Sequence, residues 1–233
     1  MKRIVKPQKP TASRLHLGCG SKAPPGWVNI DGSWNARLHK YPRFLSLLVA
    51  LRLVSQQEAE ANWSRNIMTW DLRNPLPFDS AVFDAIYASH LLEHLYYDEA
   101  TQLLNECHRV MRPGGLIRLV VPDLRALVED YLSRKIEGDE QARAADGLLE
   151  MMMLRSKQRP HHGPIRTFYQ ATADFHSHKW LYDQDSLGQL LSVAGFINSR
   201  RCGYLESAID DISEVEEESR LAKGTLCLEA QRR

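Results

Sequence analysis

Cysteine is scarce in this 233-residue chain, and its four copies (Cys19, Cys107, Cys202 and Cys227) stand far apart. No pair has the close spacing of a thiolate metal site or of a disulfide framework, which points to a reducing compartment and a cytoplasmic protein. An excess of either charge is also lacking: 30 Lys and Arg against 29 Asp and Glu leave a formal net charge of +1. That balance excludes bulk attraction to phosphates, so nucleic acid is not the expected partner. No apolar run reaches the length of a membrane span. The basic start (Lys2, Arg3, Lys6, Lys9) is followed by no apolar stretch or small-residue cleavage site, so it reads as a polar tail rather than a secretion signal. Internal repeats and low-complexity tracts are absent, and the acidic stretch 214–218 reads as a solvated face.

What is present is a run of short apolar segments bounded by turn residues. Strands are expected at Arg14–Leu17, Trp27–Ile30, Asn66–Trp70, Phe83–Ala88, Leu116–Val121, Phe196–Arg201 and Thr225–Ala230. Between the fourth and fifth, Leu103, Leu104, Cys107, Val110 and Met111 recur at helical spacing, with Asp98 as cap and Pro113-Gly114-Gly115 as stop. A second helix starts at Asp185-Ser186 and closes at Gly195. Strands alternating with helices imply an α/β, doubly wound, mostly parallel sheet. The expected organisation is a tail over 1–13 and one domain over 14–233, with insertions at about 33–65 and 124–182.

The most informative segment is Leu17-Gly18-Cys19-Gly20-Ser21, a strand running into Gly-x-Gly. Glycines there allow a sharp turn and let backbone N–H groups approach a ligand. Asp31 ends the second strand, where an acid in a nucleotide-binding sheet accepts from ribose hydroxyls. Gly18-x-Gly20-x-x-Ala23 also satisfies the dinucleotide fingerprint, but the acid of an NAD site lies about 20 residues further on. Asp31 comes much sooner, and Pro24-Pro25-Gly26 leaves little room for the helix that would receive a pyrophosphate. A plain tight turn with Asp31 as a helix cap is the structural alternative. Asp71-Leu72 follows the third strand and Ser89-His90 the fourth, both at carboxyl edges where ligands of open α/β sheets bind.

Taken with Leu76-Pro77-Phe78, Phe83-Asp84, Ser89–Leu95, the Arg112-Pro113-Gly114-Gly115 element and Ala194-Gly195-Phe196, the chain resembles the class I S-adenosylmethionine-dependent methyltransferases, in particular those described as type 11. The resemblance spans most of residues 14–230. It implies a Rossmann-like seven-stranded sheet whose last strand is antiparallel, with helical insertions forming a lid, and S-adenosyl-L-methionine as cofactor. It places Gly18, Cys19 and Gly20 beside the methionine part, Asp31 on the ribose, Asp71 and Leu72 around the adenine, and Ser89 and His90 on the floor. His16 departs from the pattern, because many relatives carry an acid there that helps place the methionine amino group. The implied reaction is methyl transfer to an oxygen or nitrogen of a small molecule, with a saccharide, glycan precursor or secondary metabolite as the class of acceptor. A partner protein that keeps the fold without catalysis is the competing reading.

The histidines carry the remaining expectations. An imidazole suits the removal of a hydroxyl proton, and His90 and then His178 are the candidate bases. His178 and Tyr182 are the expected substrate contacts, in a segment that some relatives place over the site's mouth. His90-x-x-Glu93-His94 also spells the inverted zinc-protease signature, a remote alternative, and no metal is expected. His161, His162, His176 and His178, with Asp174 nearby, read as a metal site, a base or a polar loop. The apolar run 44–54 is expected to pack on the domain as a lid; its alternative is contact with a membrane surface.

Overall fold

A computed structural model describes residues 10–51, 54, 56, 63–64, 66–133, 139–153, 177–221 and 224–233. Seven strands, β1 (Arg14–Leu17), β2 (Val28–Asp31), β3 (Ile67–Thr69), β4 (Phe83–Ser89), β5 (Met111–Pro122), β6 (Phe196–Arg201) and β7 (Thr225–Arg232), form one sheet in the order β3-β2-β1-β4-β5-β7-β6. The strands from β3 to β5 pair in parallel, and β7 runs antiparallel to both of its neighbours. This is the doubly wound sheet expected, with each strand within a few residues of its expected place except β5. That strand begins at Met111, so the Pro113-Gly114-Gly115 element lies inside it.

The helices are α1 (Trp34–Leu38), α2 (Pro42–Ala50), α3 (Tyr97–Val110), α4 (Leu124–Ser133), α5 (Asp139–Met151) and α6 (Gln184–Val193). Asp98 is not the cap of α3; the helix starts a residue earlier, and Glu99 accepts from the Tyr96 N–H at 3.0 Å. The cap of α6 is Asp183, which accepts from the Ser186 N–H at 2.8 Å, a contact of a kind worth about 1 kcal/mol.

Alternation along the strands sorts side chains onto two faces. On one, Leu15, Leu17, Ile86, Ala88, Ile117, Leu119, Leu226 and Leu228 pack under α3 (Leu103, Leu104, Cys107) and α6 (Leu187, Leu190, Leu191). On the other, Ala85, Tyr87, Val120 and Cys227 meet Trp27 together with Cys202, Ile209, Ile212 and Val215. Residues 18–27 between β1 and β2 contain no helix, and the connection between β6 and β7 fills that face instead.

A buried cation fastens the connection. Arg118, in the middle of β5 and fully buried, donates to Glu216 Oε1 at 2.8 Å and to the carbonyls of Gly203 (2.7 Å) and Glu206 (2.9 Å). Glu216 also accepts from the Leu205 N–H at 2.6 Å. The acidic stretch expected as a solvated face therefore contributes a fully buried carboxylate, because its partner cation is itself sealed under the sheet.

The run 44–54 lies in α2 as far as Ala50, where Leu45 is the one buried residue, while Phe44, Leu47 and, at the cap, Leu51 are exposed. A segment apolar on all sides cannot bury every face with a single row of contacts. One row of α2 is packed, Leu45 with the half-buried Leu48 and Val49, and its other apolar side chains face outward. No helix among the described residues is long and apolar enough to cross a membrane.

Candidate active site

Neighbours β1 and β4 send their following chain to opposite sides, so their carboxyl ends form the switch point where such sheets open a crevice. Gly18 and Gly20 have φ of 63° and 57°, left-handed conformations that side chains resist. The loop between them is tied to β2: the Cys19 N–H donates to the Ile30 carbonyl at 3.1 Å and the Gly20 N–H to Asp31 Oδ2 at 2.9 Å. Asp31 Oδ1 accepts from the Ser33 N–H at 2.7 Å, and the Ser33 hydroxyl caps α1. The buried carboxylate is therefore oriented by backbone on both sides, and each oxygen retains a lone pair for a ligand. A Cβ built on Gly20 would meet no atom within 4 Å, so the loop faces open space.

Asp71 sits beyond β3, but both its oxygens are held by Arg73, at 2.9 Å and 2.8 Å. That contact holds the Asp71 carboxyl below its ordinary range against a smaller effect of burial. Leu72 is buried in the main core. At the end of β4, Ser89 is nearly buried and its hydroxyl has no partner among the described residues. His90 follows with φ of 50°, its N–H on the Val120 carbonyl at 2.8 Å. The turn places Leu91 against Gly18, 3.2 Å from where a Cβ would stand.

The expected bases have very different surroundings. Both ring nitrogens of His90 are engaged: Nδ1 with Glu93 Oε1 at 3.0 Å, and Nε2, donating, with the Arg220 carbonyl at 3.1 Å. Burial disfavours its charged form, yet the hydrogen bond and charge of Glu93 outweigh that and raise its pKa. The ring is thus held toward imidazolium, with no lone pair left to take a proton. His178 is buried beside His94, ring centroids 5.0 Å apart, and its Nδ1 has no partner among the described residues. Tyr182 is packed in the main core with a buried hydroxyl that has no partner among the described residues and whose pKa burial pushes up. His161, His162, His176 and Asp174 lie outside the described residues.

His16 is buried on β1 between Trp27 and Tyr87, ring centroids 6.3 Å and 5.3 Å away. Burial lowers its pKa to about 4, so it stands neutral. Two further contacts escaped the sequence reading. Lys22, on the glycine loop, donates to the Glu216 carbonyl at 3.1 Å and lies 3.4 Å from Glu217. With Arg220 on His90, the same connection that covers the sheet touches both loops of the crevice. No local pattern signals this, since the partners lie 130 to 194 residues apart.

Residues 15–119 match a family model described as a methyltransferase domain, of type 11. No curated protein matches the chain. Among solved structures, it is similar to a methyltransferase from Thermotoga maritima described as a possible histamine N-methyltransferase. They share 14% identity over 94% of this chain and 82% of that one, with a TM-score of 0.49. It is also similar to a methyltransferase from Archaeoglobus fulgidus, at 15% identity over 94% and 85% of the two chains and a TM-score of 0.44. A third is the 1,6-didemethyltoxoflavin N1-methyltransferase of Burkholderia thailandensis, at 14% identity over 94% and 70%, again with a TM-score of 0.44. The matched segment runs from β1 into β5 and holds the glycine loop, Asp31, Asp71, Ser89 and His90, on a sheet wound in the expected order. By that match residues 15–119 are similar to a methyltransferase domain of type 11, the family that the motifs of the sequence resemble.

Proposed function

We propose that the protein transfers the methyl group of S-adenosylmethionine to an oxygen or nitrogen of a small molecule, with a saccharide-related acceptor as the preferred class. The observation that carries this reading is the Gly20–Asp31 contact. A left-handed glycine loop is locked to an oriented, buried carboxylate at the switch point, with open space above the loop. These residues fit the cofactor: Gly18 to Gly20 meet its methionine part, Asp31 its ribose, and the unpartnered Ser89 hydroxyl the floor. Asp71 and Leu72 border the adenine, Asp71 through whatever acceptor capacity Arg73 leaves it.

The sulfonium supplies an activated methyl group when bound. What the chain contributes is alignment and the exclusion of water, which can lower a barrier by several kcal/mol. His90 acts here by position. Its two ring contacts join the end of β4 to Glu93 and to the covering connection, which fixes the wall of the crevice. His178 and Tyr182 bound the acceptor side by holding the segment 177–182 in place rather than by presenting free side chains to it.

The test is titration calorimetry of the whole protein with S-adenosylmethionine, with Asp31→Ala as control. Binding that weakens at least about tenfold in the variant supports the reading, since hydrogen bonds to a charged group are each worth about 1.5–3 kcal/mol. No binding to the unaltered protein sinks it. Binding without methylation of any acceptor across a panel of sugars, phenols and amines leaves the non-catalytic reading in its place.

A further inference from the structure

The 3-10 turn Leu92–His94 follows β4 and buries Glu93 completely. One carboxylate oxygen, Oε1, is taken by His90; the other, Oε2, has no partner among the described residues. Donor atoms of Glu93, His94 and His178 all lie within 4.8 Å of one another. His178 is about nine-tenths buried and its Nδ1 is likewise unpartnered. Two unsatisfied polar atoms this deeply buried carry a desolvation cost that natural folds rarely leave uncompensated.

We propose that Glu93, His94 and His178 bind a divalent first-row transition metal of the zinc class. Two imidazoles and one carboxylate form the nitrogen and oxygen donor set of open zinc sites, which keep a fourth position for water or another ligand. The surroundings are those such sites need. His94 Nδ1 faces the Ser177 carbonyl at 3.4 Å, which leaves Nε2 as the lone-pair nitrogen of that ring. His90 holds the Glu93 carboxylate from behind, as hydrogen-bond partners hold metal-bound carboxylates elsewhere. Backbone bonds bring the third ligand in: the Lys179 N–H donates to the Glu93 carbonyl at 2.7 Å, and Lys179 Nζ to the His94 carbonyl at 3.1 Å. His94 is only half-buried, which gives the ion an approach from solvent.

This differs from the zinc-protease signature in the sequence. There His90 and His94 would be ligands and Glu93 the base. In the fold His90 turns to the Arg220 carbonyl, Glu93 becomes a ligand, and His178, from far along the sequence, replaces His90. The metal would pin the segment 177–182 to the end of β4, so it organises the acceptor side of the crevice.

The experiment takes the full chain stripped with a chelator and titrates it with zinc by calorimetry and with cobalt(II) by visible absorption. One equivalent should bind, with the intense absorption of a four-coordinate cobalt site. His178→Ala and His94→Ala should abolish binding, and His90→Ala should weaken it about tenfold to a hundredfold. Circular dichroism confirms that each variant is folded, and His94→Gln serves if His94→Ala is not. Absence of stoichiometric binding, or binding that survives both ligand variants, overturns the proposal. Titrating S-adenosylmethionine into the same samples keeps the two readings apart: cofactor binding without metal defeats only the metal site, and metal binding without cofactor defeats only the methyltransferase reading.

Discussion

Arg118 and Glu216 form a fully buried ion pair, 2.8 Å between Nε and Oε1, that ties the central strand β5 to the connection covering the sheet. Removing Arg118 leaves Glu216 buried without its cation, and removing Glu216 leaves Arg118 only the longer ion-pair contact to Glu229 at 3.6 Å; breaking a buried pair typically costs about 3–5 kcal/mol. Glu216→Ala and Arg118→Met should each lose stability on that scale in urea unfolding. The double variant Arg118→Met/Glu216→Leu should lose clearly less than the sum of the two. Additive losses would show that the pair does not act as a unit.

His16 should give the protein an acid-sensitive step. Its pKa is 6.5 when unfolded and about 4 in the fold, because burial disfavours the charged ring. Between those values the unfolded chain binds a proton that the native chain does not. Stability therefore rises with pH across that window and is fully present above 6.5. The part lost by the lower end is about 3 kcal/mol. Chemical denaturation at neutral pH and at the lower end of the window should show most of that difference vanish in His16→Gln.

The two loop glycines should respond differently to a methyl group. At Gly20 the methyl meets nothing within 4 Å, so Gly20→Ala should cost only the strain of a left-handed backbone, about 1 kcal/mol. At Gly18 the same strain is joined by contact with Leu91 at 3.2 Å, and Gly18→Ala should cost more. Thermal unfolding of the two variants side by side reads the order directly.

Leu45 and its neighbours on α2 offer a further contrast. Leu45→Ala removes the helix's one buried side chain and should cost about 2 kcal/mol or more. Leu47→Ser and Leu51→Ser, both at exposed positions, should stay within about 0.5 kcal/mol of the unaltered protein. A large loss from either serine variant would mean that the helix is covered in solution.

The sequence is most readable where the physics is local. Strand β1 was delimited by its alternation and by the glycines after it, and α6 by its leucine spacing and the left-handed Gly195. Asp31 could be placed at the end of β2 because the apolar run of that strand stops there. What stayed hidden depends on distant partners. Arg118 looks like an ordinary polar residue on a strand until Glu216 arrives across 98 positions. His90 looks like a free base until the Arg220 carbonyl takes its second nitrogen. The same holds for His178, whose meaning changes once Lys179 and Trp180 bond the Glu93 carbonyl and bring it beside His94.

The missing crossover helix between β1 and β2 has a consequence for the order of assembly. Here the cover for Trp27, Tyr87 and the glycine loop comes from residues 202–221, near the other end of the chain. The loop can therefore be covered only through contacts as distant as Lys22 to Glu216, 194 residues apart. Closure over so long a stretch is entropically slow. The surroundings of the glycine loop are thus completed by a distant part of the sequence rather than by its own neighbours.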